Sequence, residues 1–199
     1  RLLVEGMAER IGSGPLGRMV QRKLVDDHRL EGLRTEMPFH IALDVETGGA
    51  IRQRWRPEGP EPLVNMDKAT IEMSGIIDLV LCTVTSNGDS AIRAVDLKTE
   101  DAGLIDNDSS EGLLEALDSE DSGPACEAEF EILNKHRMQL ALYYRALQSI
   151  ENARKAANLR YRVVLPPAIL VGVTGRMVEY PKEMLDQASQ ELEELLVRT

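Results

Sequence analysis

Alternating apolar residues predict the first strands of this chain. In "MPFHIALDV" (residues 37–45) every second residue is apolar, which is typical of a half-buried strand; these residues are Phe39, Ile41, Leu43 and Val45. The run "ATIEMSGIIDLVLCTVT" (69–85) has the length and β-branched content of a strand or a bent pair of strands, with Gly75 as a bulge. Asn87-Gly88 then predicts a hairpin turn, and residues 91–99 its second strand.

Other segments have the period of a helix. Residues 1–11 and 16–25 favour two helices that are separated by the break "GSGP". Residues 129–151 carry an apolar stripe at helical spacing, and residues 181–198 form an amphipathic pattern. The stripe on the longer helix consists of Leu133, Leu140, Tyr144 and Leu147.

The remaining segments complete the expected architecture. Residues 161–173 are a second β-rich block, interrupted by Pro166-Pro167, and residues 175–180 favour a short strand. The stretch 47–67 is rich in Gly, Pro and Arg and predicts a loop. The order of helices and strands predicts an α/β sandwich around a mixed sheet. A length of 199 residues suits a single domain over the whole chain, and the missing initiator Met indicates a fragment of a longer protein.

The charge of the chain is unevenly distributed. The formal net charge is −11, but residues 99–133 hold twelve acids and no Lys or Arg. The rest has 22 acids and 23 bases, so the body is near neutral and its charge does not exclude a nucleic-acid partner. We interpret about 100–129 as a solvated, flexible insertion. A second interpretation places it at the rim of a functional site, where it would repel DNA until a partner domain moves it.

The cysteines and the lengths of the apolar runs indicate the cellular environment of the protein. Cys82 and Cys126 have no CxxC spacing and no nearby His pair, so a zinc or iron–sulfur site has little support, and Cys82 is expected in the core. No run approaches the length of a membrane span, so we expect no membrane partner. A reducing, cytoplasmic setting fits these features.

Two acids interrupt apolar strands in "GIIDLVL" and "AVDLKTE". Asp96 and Lys98 share one strand face, and the even-numbered residues from 76 to 82, including Asp78, share one face of the preceding strand. A hairpin at Asn87-Gly88 would bring Asp78 close to Asp96 and Lys98. Carboxylates in an apolar setting are costly unless they are paired or bound to a cation, and Mg²⁺ prefers carboxylate oxygens. The alternatives are a buried Asp–Lys ion pair with a structural role and an Asp that caps a strand end.

A polar stripe on the helix at 129–151 is a second candidate. His136, Gln139 and Tyr143 follow the spacing i, i+3, i+7 and therefore lie on one side of the helix. Taken alone, the stripe is better explained by a partly exposed surface along which a tyrosine packs.

Together these motifs resemble a known family. G-x-I-D-L-V, V-D-L-K-T and Q-L-A-L-Y are similar to the RecB-like branch of the PD-(D/E)XK nucleases, as found at the C-terminus of UvrD-type helicases in RecBCD, AddAB and AdnAB machines. "LRTEMPFHIAL" also resembles the E-x-P-F strand of that group. The resemblance covers roughly 33–147 and implies a restriction-endonuclease-like three-layer sandwich, with a central mixed sheet flanked by helices.

The resemblance implies a role for each matched residue. Asp78 and Asp96 would bind Mg²⁺ or Mn²⁺ together with the Leu97 carbonyl, and Lys98 would orient the attacking water and stabilise charge on the phosphate. Gln139 and Tyr143 would position the substrate strand. The implied activity is metal-dependent hydrolysis of DNA, most simply as an exonuclease on single strands or DNA ends in recombinational repair. A helicase motor in the same parent chain, and a further subunit, would be its partners.

One family feature is missing from this sequence. Members usually have a metal-binding His on an upstream helix, and the first predicted helices here contain none. Glu36 is a substitute acid, although its position at a strand start favours a structural role. Two alternatives therefore stay open: a catalytically silent copy of the fold that binds DNA or serves as a scaffold, and a hydrolase with an unrelated metal site.

Two further motifs are weaker. In "RQRWRP" the residues Arg52, Arg54 and Arg56 alternate with other residues around Trp55. These side chains could bind a single DNA strand through phosphate contacts and stacking, with His136 as an additional contact. A Trp packed on an apolar patch explains the motif equally well. "GSGPLGR" (residues 12–18) resembles a phosphate-binding loop but follows no predicted strand and lacks the required Lys, so we interpret it as a break between helices.

Overall fold

A computed structural model describes residues 9–21, 28–45, 51–55, 69–99 and 123–198. The helices with stated bounds are α1 (Pro15–Val20), α2 (Glu127–Lys135), α3 (Arg137–Ala156) and α4 (Lys182–Arg198), and residues 9–13 are also helical. The strands are β1 (His28–Val45), β2 (Ile51–Trp55), β3 (Ala69–Thr85), β4 (Ser90–Lys98), β5 (Val163–Val164), β6 (Ala168–Val171) and β7 (Arg176–Glu179).

The strands of the described residues form one mixed sheet. Its order is β2-β1-β3-β4-β6-β7, and β5 also pairs with β4. β4 runs parallel to β5 and β6, whereas the other neighbours are antiparallel. The hairpin between β3 and β4 turns where Asn87-Gly88 predicts it, and Gly88 has the positive φ of 87° that such a turn requires. The expected α/β class with a mixed sheet is therefore confirmed.

Helices cover both faces of this sheet. On one face, β-strand residues pack against α2, α3 and α4 in two apolar clusters, which centre on Leu147 and on Leu140. On the other face, Leu16 and Met19 of α1 pack over Leu81 and Val95. This arrangement of helix, sheet and helix is compatible with a three-layer sandwich.

Several boundaries differ from the sequence prediction. The stretch 47–67 was expected to be a loop, but 51–55 is the edge strand β2, because these residues pair with β1 from Val45↔Ile51 to Ile41↔Trp55. The helix predicted at 129–151 consists of α2 and α3, which meet at His136. The register shift lies between Leu30 and Gly32 rather than at Gly75.

Some predictions concern residues that the structure does not describe. They are the helix predictions for residues 1–8 and 22–25, the interpretation of the acidic segment 100–122, and the proposed DNA contact of Arg56. The side chains of Arg52, Arg54 and Trp55 also lie outside the description, although their backbone belongs to β2.

A buried ion pair fixes the chain where it returns from the acidic segment. Arg176 Nε lies 3.0 Å from Glu129 Oε1, and the Glu129 side chain is 0% exposed. The Arg176 guanidinium also donates to the Gly123 carbonyl (2.9 Å), and Glu129 accepts from the Ala125 N–H (2.9 Å). Removing one partner of such a pair leaves an uncompensated buried charge, so the pair specifies how α2 begins beside β7.

Within the described part of the chain, no helix is both long and apolar enough to cross a membrane.

Candidate active site

The candidate site lies where β3 loses its regular alternation. Ile77 and Val80 both belong to the apolar cluster beneath α3, whereas Leu79 faces α1, so the side-chain alternation is interrupted at Asp78. The opposite strand is irregular at the same point, because Glu36 has a φ of 51°, which is uncommon for a residue other than glycine. The expectation that residues 76 to 82 alternate strictly was therefore wrong.

This irregularity directs the Asp78 side chain toward β4. Backbone pairing between β3 and β4 ends at Leu79↔Val95, and the next N–H in need of an acceptor belongs to Leu97. The Leu97 N–H donates to Asp78 Oδ2 at 3.0 Å. The Asp78 carboxylate thus accepts a backbone N–H of β4 just beyond the last backbone pair between β3 and β4.

Asp96 lies beside Asp78 and is almost completely buried. It is 1% exposed, and its Oδ2 lies 2.7 Å from Lys98 Nζ without a well-aligned hydrogen bond. Burial raises the pKa of the Asp96 carboxyl, Lys98 partly offsets this, and the negative charge of Asp78 raises the pKa further. The prediction that Asp96 and Lys98 share a face is confirmed.

Two side chains of α3 complete a hydrogen-bonded network. Gln139 Nε2 donates to Asp96 Oδ1 (3.3 Å) and to the Tyr143 hydroxyl (2.7 Å), while Gln139 Oε1 accepts from Lys98 Nζ (3.4 Å). The Tyr143 hydroxyl donates in turn to the Ile76 carbonyl at 2.8 Å. Burial raises the pKa of the Tyr143 phenol, so it acts here as a neutral hydroxyl.

Packing fixes the position of Tyr143. Its ring meets the Phe39 ring edge to face, with centroids 5.8 Å apart. The Phe39 ring in turn lies against Gly75, where a Cβ would be only 2.8 Å from two ring carbons. The packing role of Phe39 and Gly75 was not predicted, although both belong to the motifs that carry the family resemblance.

The other predicted site residues lie around this network. The Leu97 side chain is exposed, and His136 forms the junction between α2 and α3 rather than a turn of one continuous helix. Glu36 was expected at a strand start, but it lies in the middle of β1, because the pairing of β1 with β3 continues on both sides of it; its side chain is exposed, opposite the gap in the ladder at Asp78.

The donor set fits a hard divalent cation. Asp78 and Asp96 offer carboxylate oxygens, and no group of three or more His, Cys, Asp or Glu residues that could hold a metal occurs among the described residues. Mg²⁺ is commonly held by one or two carboxylates, several waters and substrate phosphates. The like charges of two neighbouring carboxylates, together with the burial of Asp96, are what a bound cation would compensate.

Comparisons with protein-family models, with curated proteins and with solved structures find no match to this chain.

Proposed function

We propose that this chain is a metal-dependent DNA nuclease domain of the RecB-like, restriction-endonuclease-like kind. One observation carries the proposal: Asp78, Asp96 and Lys98, which come from two adjacent strands, meet Gln139 and Tyr143 from a helix in a single network. A structural ion pair needs only Asp96 and Lys98. It does not account for a second carboxylate placed by an irregular strand, nor for two polar helix residues that approach the pair.

The residues of this network would have separate roles in phosphodiester hydrolysis. Asp78 and Asp96, with the Leu97 carbonyl, would hold Mg²⁺ or Mn²⁺, which when bound acidifies a water and offsets charge on the phosphate. The Lys98 side chain is partly exposed, so its ammonium group can orient the water and stabilise the charge that develops on the phosphate oxygens.

Gln139 and Tyr143 act as positioning residues. Gln139 contacts both Asp96 and Lys98, so it fixes their relative orientation, and Tyr143 fixes Gln139 through its hydroxyl. The partly exposed Gln139 side chain can also contact the backbone of the substrate strand.

The proposal also includes the substrate and the partner that delivers it. By resemblance, the substrate is a single strand or a DNA end in recombinational repair, and a helicase motor of the same parent chain delivers it. The near-neutral body of the chain supports this division, because few excess positive charges are available for binding DNA without help.

Cleavage of end-labelled linear DNA tests the proposal. Single- and double-stranded substrates are incubated with Mg²⁺ or Mn²⁺ and with wild type, Asp96→Ala, Lys98→Ala, or the surface controls Asp89→Ala and Lys182→Ala. We expect cleavage by wild type and both controls, and a loss of about a hundredfold or more in the two site variants. Equal cleavage by all five proteins would disprove the assignment.

The second candidate is a catalytically silent copy of the fold. The observation that favours it is the small donor set, since only two carboxylates contribute to the site among the described residues. This second candidate function predicts that the chain binds DNA without cleaving it, and that binding does not require Asp78 or Asp96. A substrate panel that also contains non-nucleic-acid phosphodiesters separates both candidates from an unrelated metal hydrolase.

A further inference from the structure

A concave feature lies on the same face of the sheet as the candidate active site and beside it. It is a cavity of about 340 Å³ between β1, β3, β4 and the second half of α3, and we name it the arginine pocket. Val80 lines it two residues after Asp78, and Leu147 lines it one helical turn after Tyr143. The pocket therefore begins directly next to the candidate site.

The rim of the arginine pocket carries excess positive charge. Arg34, Arg154 and Arg162 line it together with one acid, Glu151, which leaves a net charge of +2. Glu151 is buried and lies 3.6 Å from Arg154 Nε and 3.9 Å from Arg162 Nη1. One carboxylate cannot neutralise three guanidinium groups, so the pocket favours an anionic ligand.

Two of these arginines approach the floor of the pocket. Burial raises the pKa of the Cys82 thiol there, the positive charges of Arg162 and Arg34 partly offset that rise, and the carboxylates of Glu151 and Glu31 add to it by a smaller amount. Arg162 Nε is buried and has no hydrogen-bond partner among the described residues. An unsatisfied buried donor of this kind costs free energy that a ligand oxygen would recover.

The floor of the pocket is apolar. Its lining includes Met37, Val80, Ile92 and Ile150. The volume is at the small end of the range for ligand pockets and is sufficient for one nucleobase with its sugar. A ligand that matches both the arginine rim and the apolar floor has a flat, weakly polar body and at least one phosphate.

We propose that the arginine pocket binds one nucleotide of a DNA single strand, at a fixed distance from the phosphodiester bond held at Asp96 and Lys98. The base lies on the apolar floor, and the arginines bind the flanking phosphates. Because the floor offers few donors or acceptors to a base edge, binding tolerates any sequence. This inference rests on the proposed nuclease function and adds a contact that sets where the strand lies.

The first test measures binding without cleavage. Affinity for fluorescent dT12 is measured by anisotropy in metal-free buffer at several salt concentrations, with wild type, Arg34→Ala/Arg154→Ala and the control Arg145→Ala. Arg145 lies on the same helix but pairs with Glu193. We expect the double variant to bind about tenfold or more weakly, with the slope of log K against log salt reduced by about 1.4, and the control to match wild type. Thermal unfolding of each variant confirms that the fold is retained.

The second test uses Cys82 as a reporter. Cys82 and Cys126 are free cysteines, so in a Cys126→Ser background a thiol reagent at alkaline pH reports on the pocket. We expect dT12 to slow the labelling of Cys82 several-fold, and Arg34→Ala/Arg154→Ala to remove this protection. The inference is overturned if dT12 binds equally to all variants, if it leaves Cys82 unprotected, or if it does not bind.

The two proposals fail in different ways. Protection of Cys82 by dT12 in a protein that does not cleave DNA would reject the nuclease function and keep the pocket. Cleavage that depends on Asp96 and Lys98, with Cys82 unprotected, would reject the pocket and keep the nuclease.

Discussion

Asp96 combines almost complete burial with two neighbouring charges of opposite sign. Lys98 lies 2.7 Å from one of its oxygens, and Asp78 adds a like charge nearby. The raised pKa of Asp96 means that the folded chain holds this proton more strongly than the unfolded chain. The ionised carboxylate therefore lowers the stability of the metal-free protein at neutral pH.

The first prediction concerns Asp96→Asn. Because the pKa of the folded state lies above the ordinary value of 3.8, the folded state loses stability relative to the unfolded state as the pH rises above that value. We expect the variant to melt at a higher temperature than wild type at neutral pH in metal-free buffer, with the gain vanishing as the pH falls toward 3.8. Thermal unfolding by circular dichroism measures this. The exposed Asp89→Asn is the control, and a lower Tm for Asp96→Asn at neutral pH would contradict the prediction.

The second prediction concerns Tyr143→Phe. The change removes a hydrogen bond to the Ile76 carbonyl and the acceptor for Gln139, so we expect the free energy of unfolding to fall by about 1–2 kcal/mol. Because Gln139 then loses its fixed orientation, cleavage should fall about tenfold to a hundredfold. Chemical denaturation and cleavage rates measure the two effects. Tyr144→Phe, at the next position of α3, should change neither, and equal effects of both variants would argue against the network.

At the scale of single elements, close packing of β1 and β3 supports the site. Gly75 lets the Phe39 ring lie directly against the β3 backbone, and that ring meets Tyr143. The ring has little room to move, because Phe39 is buried in the cluster beneath α3. The packing of β1 against β3 therefore determines the position of Tyr143 on α3.

The third prediction compares two glycines. Gly75→Ala places a Cβ 2.8 Å from the Phe39 ring, and such overpacking costs about 1–3 kcal/mol of stability. Gly32→Ala is the matched control on the paired strand, where the nearest atom is the Cys82 Cβ at 3.8 Å, so we expect it to be neutral or slightly stabilising. Phe39→Leu should recover part of the loss in the Gly75→Ala background. An equal effect of the two alanine substitutions, measured by chemical denaturation, would contradict the packing argument.

At the scale of the whole molecule, the charge is divided between a near-neutral body and an acidic segment. Deleting residues 103–121 removes seven acids and no base, which changes the net charge from −11 to −4. It keeps Gly123 and Ala125, which bind Arg176 and Glu129. The deletion therefore isolates the effect of the charge from that of the ion pair.

The fourth prediction concerns this deletion. If the acidic segment repels DNA, the shortened chain should bind dT12 about tenfold more tightly at low salt, and the gain should disappear at high salt because screening removes the repulsion. A Gly/Ser linker of equal length separates charge from chain length and should bind like the deletion. Unchanged affinity at low salt would leave the segment without this role.

The sequence predicted the parts of the site that follow from regular periodicity. The hairpin at Asn87-Gly88 gave the register that brings Asp78 toward Asp96, and the side-chain spacing in β4 placed Lys98 beside Asp96. These features depend only on local turn chemistry and on the two-residue period of a strand.

Other features depend on tertiary contacts and left no clear signal in the sequence. β2 is a strand because β1 offers it an edge, although its own composition favours a loop. The interruption at Asp78 coincides with a positive φ at Glu36, and a glutamate gives no indication of that conformation. The arginine pocket combines residues from β1, β3, β4 and α3 with Arg162, which are far apart in the chain.

The fixed points on either side of the acidic segment make this chain a good host for protein engineering. The Lys98 carbonyl accepts from the Gly172 N–H at 2.8 Å before the segment, and the Gly123 carbonyl binds Arg176 after it. Lys98 belongs to β4, and Gly123 is bound by Arg176 of β7, so a foreign domain could replace residues 103–121 while the host fold keeps its own restraints. A fluorescent or ligand-gated domain inserted there would begin a few residues after Lys98, and could report on or control events at the candidate active site.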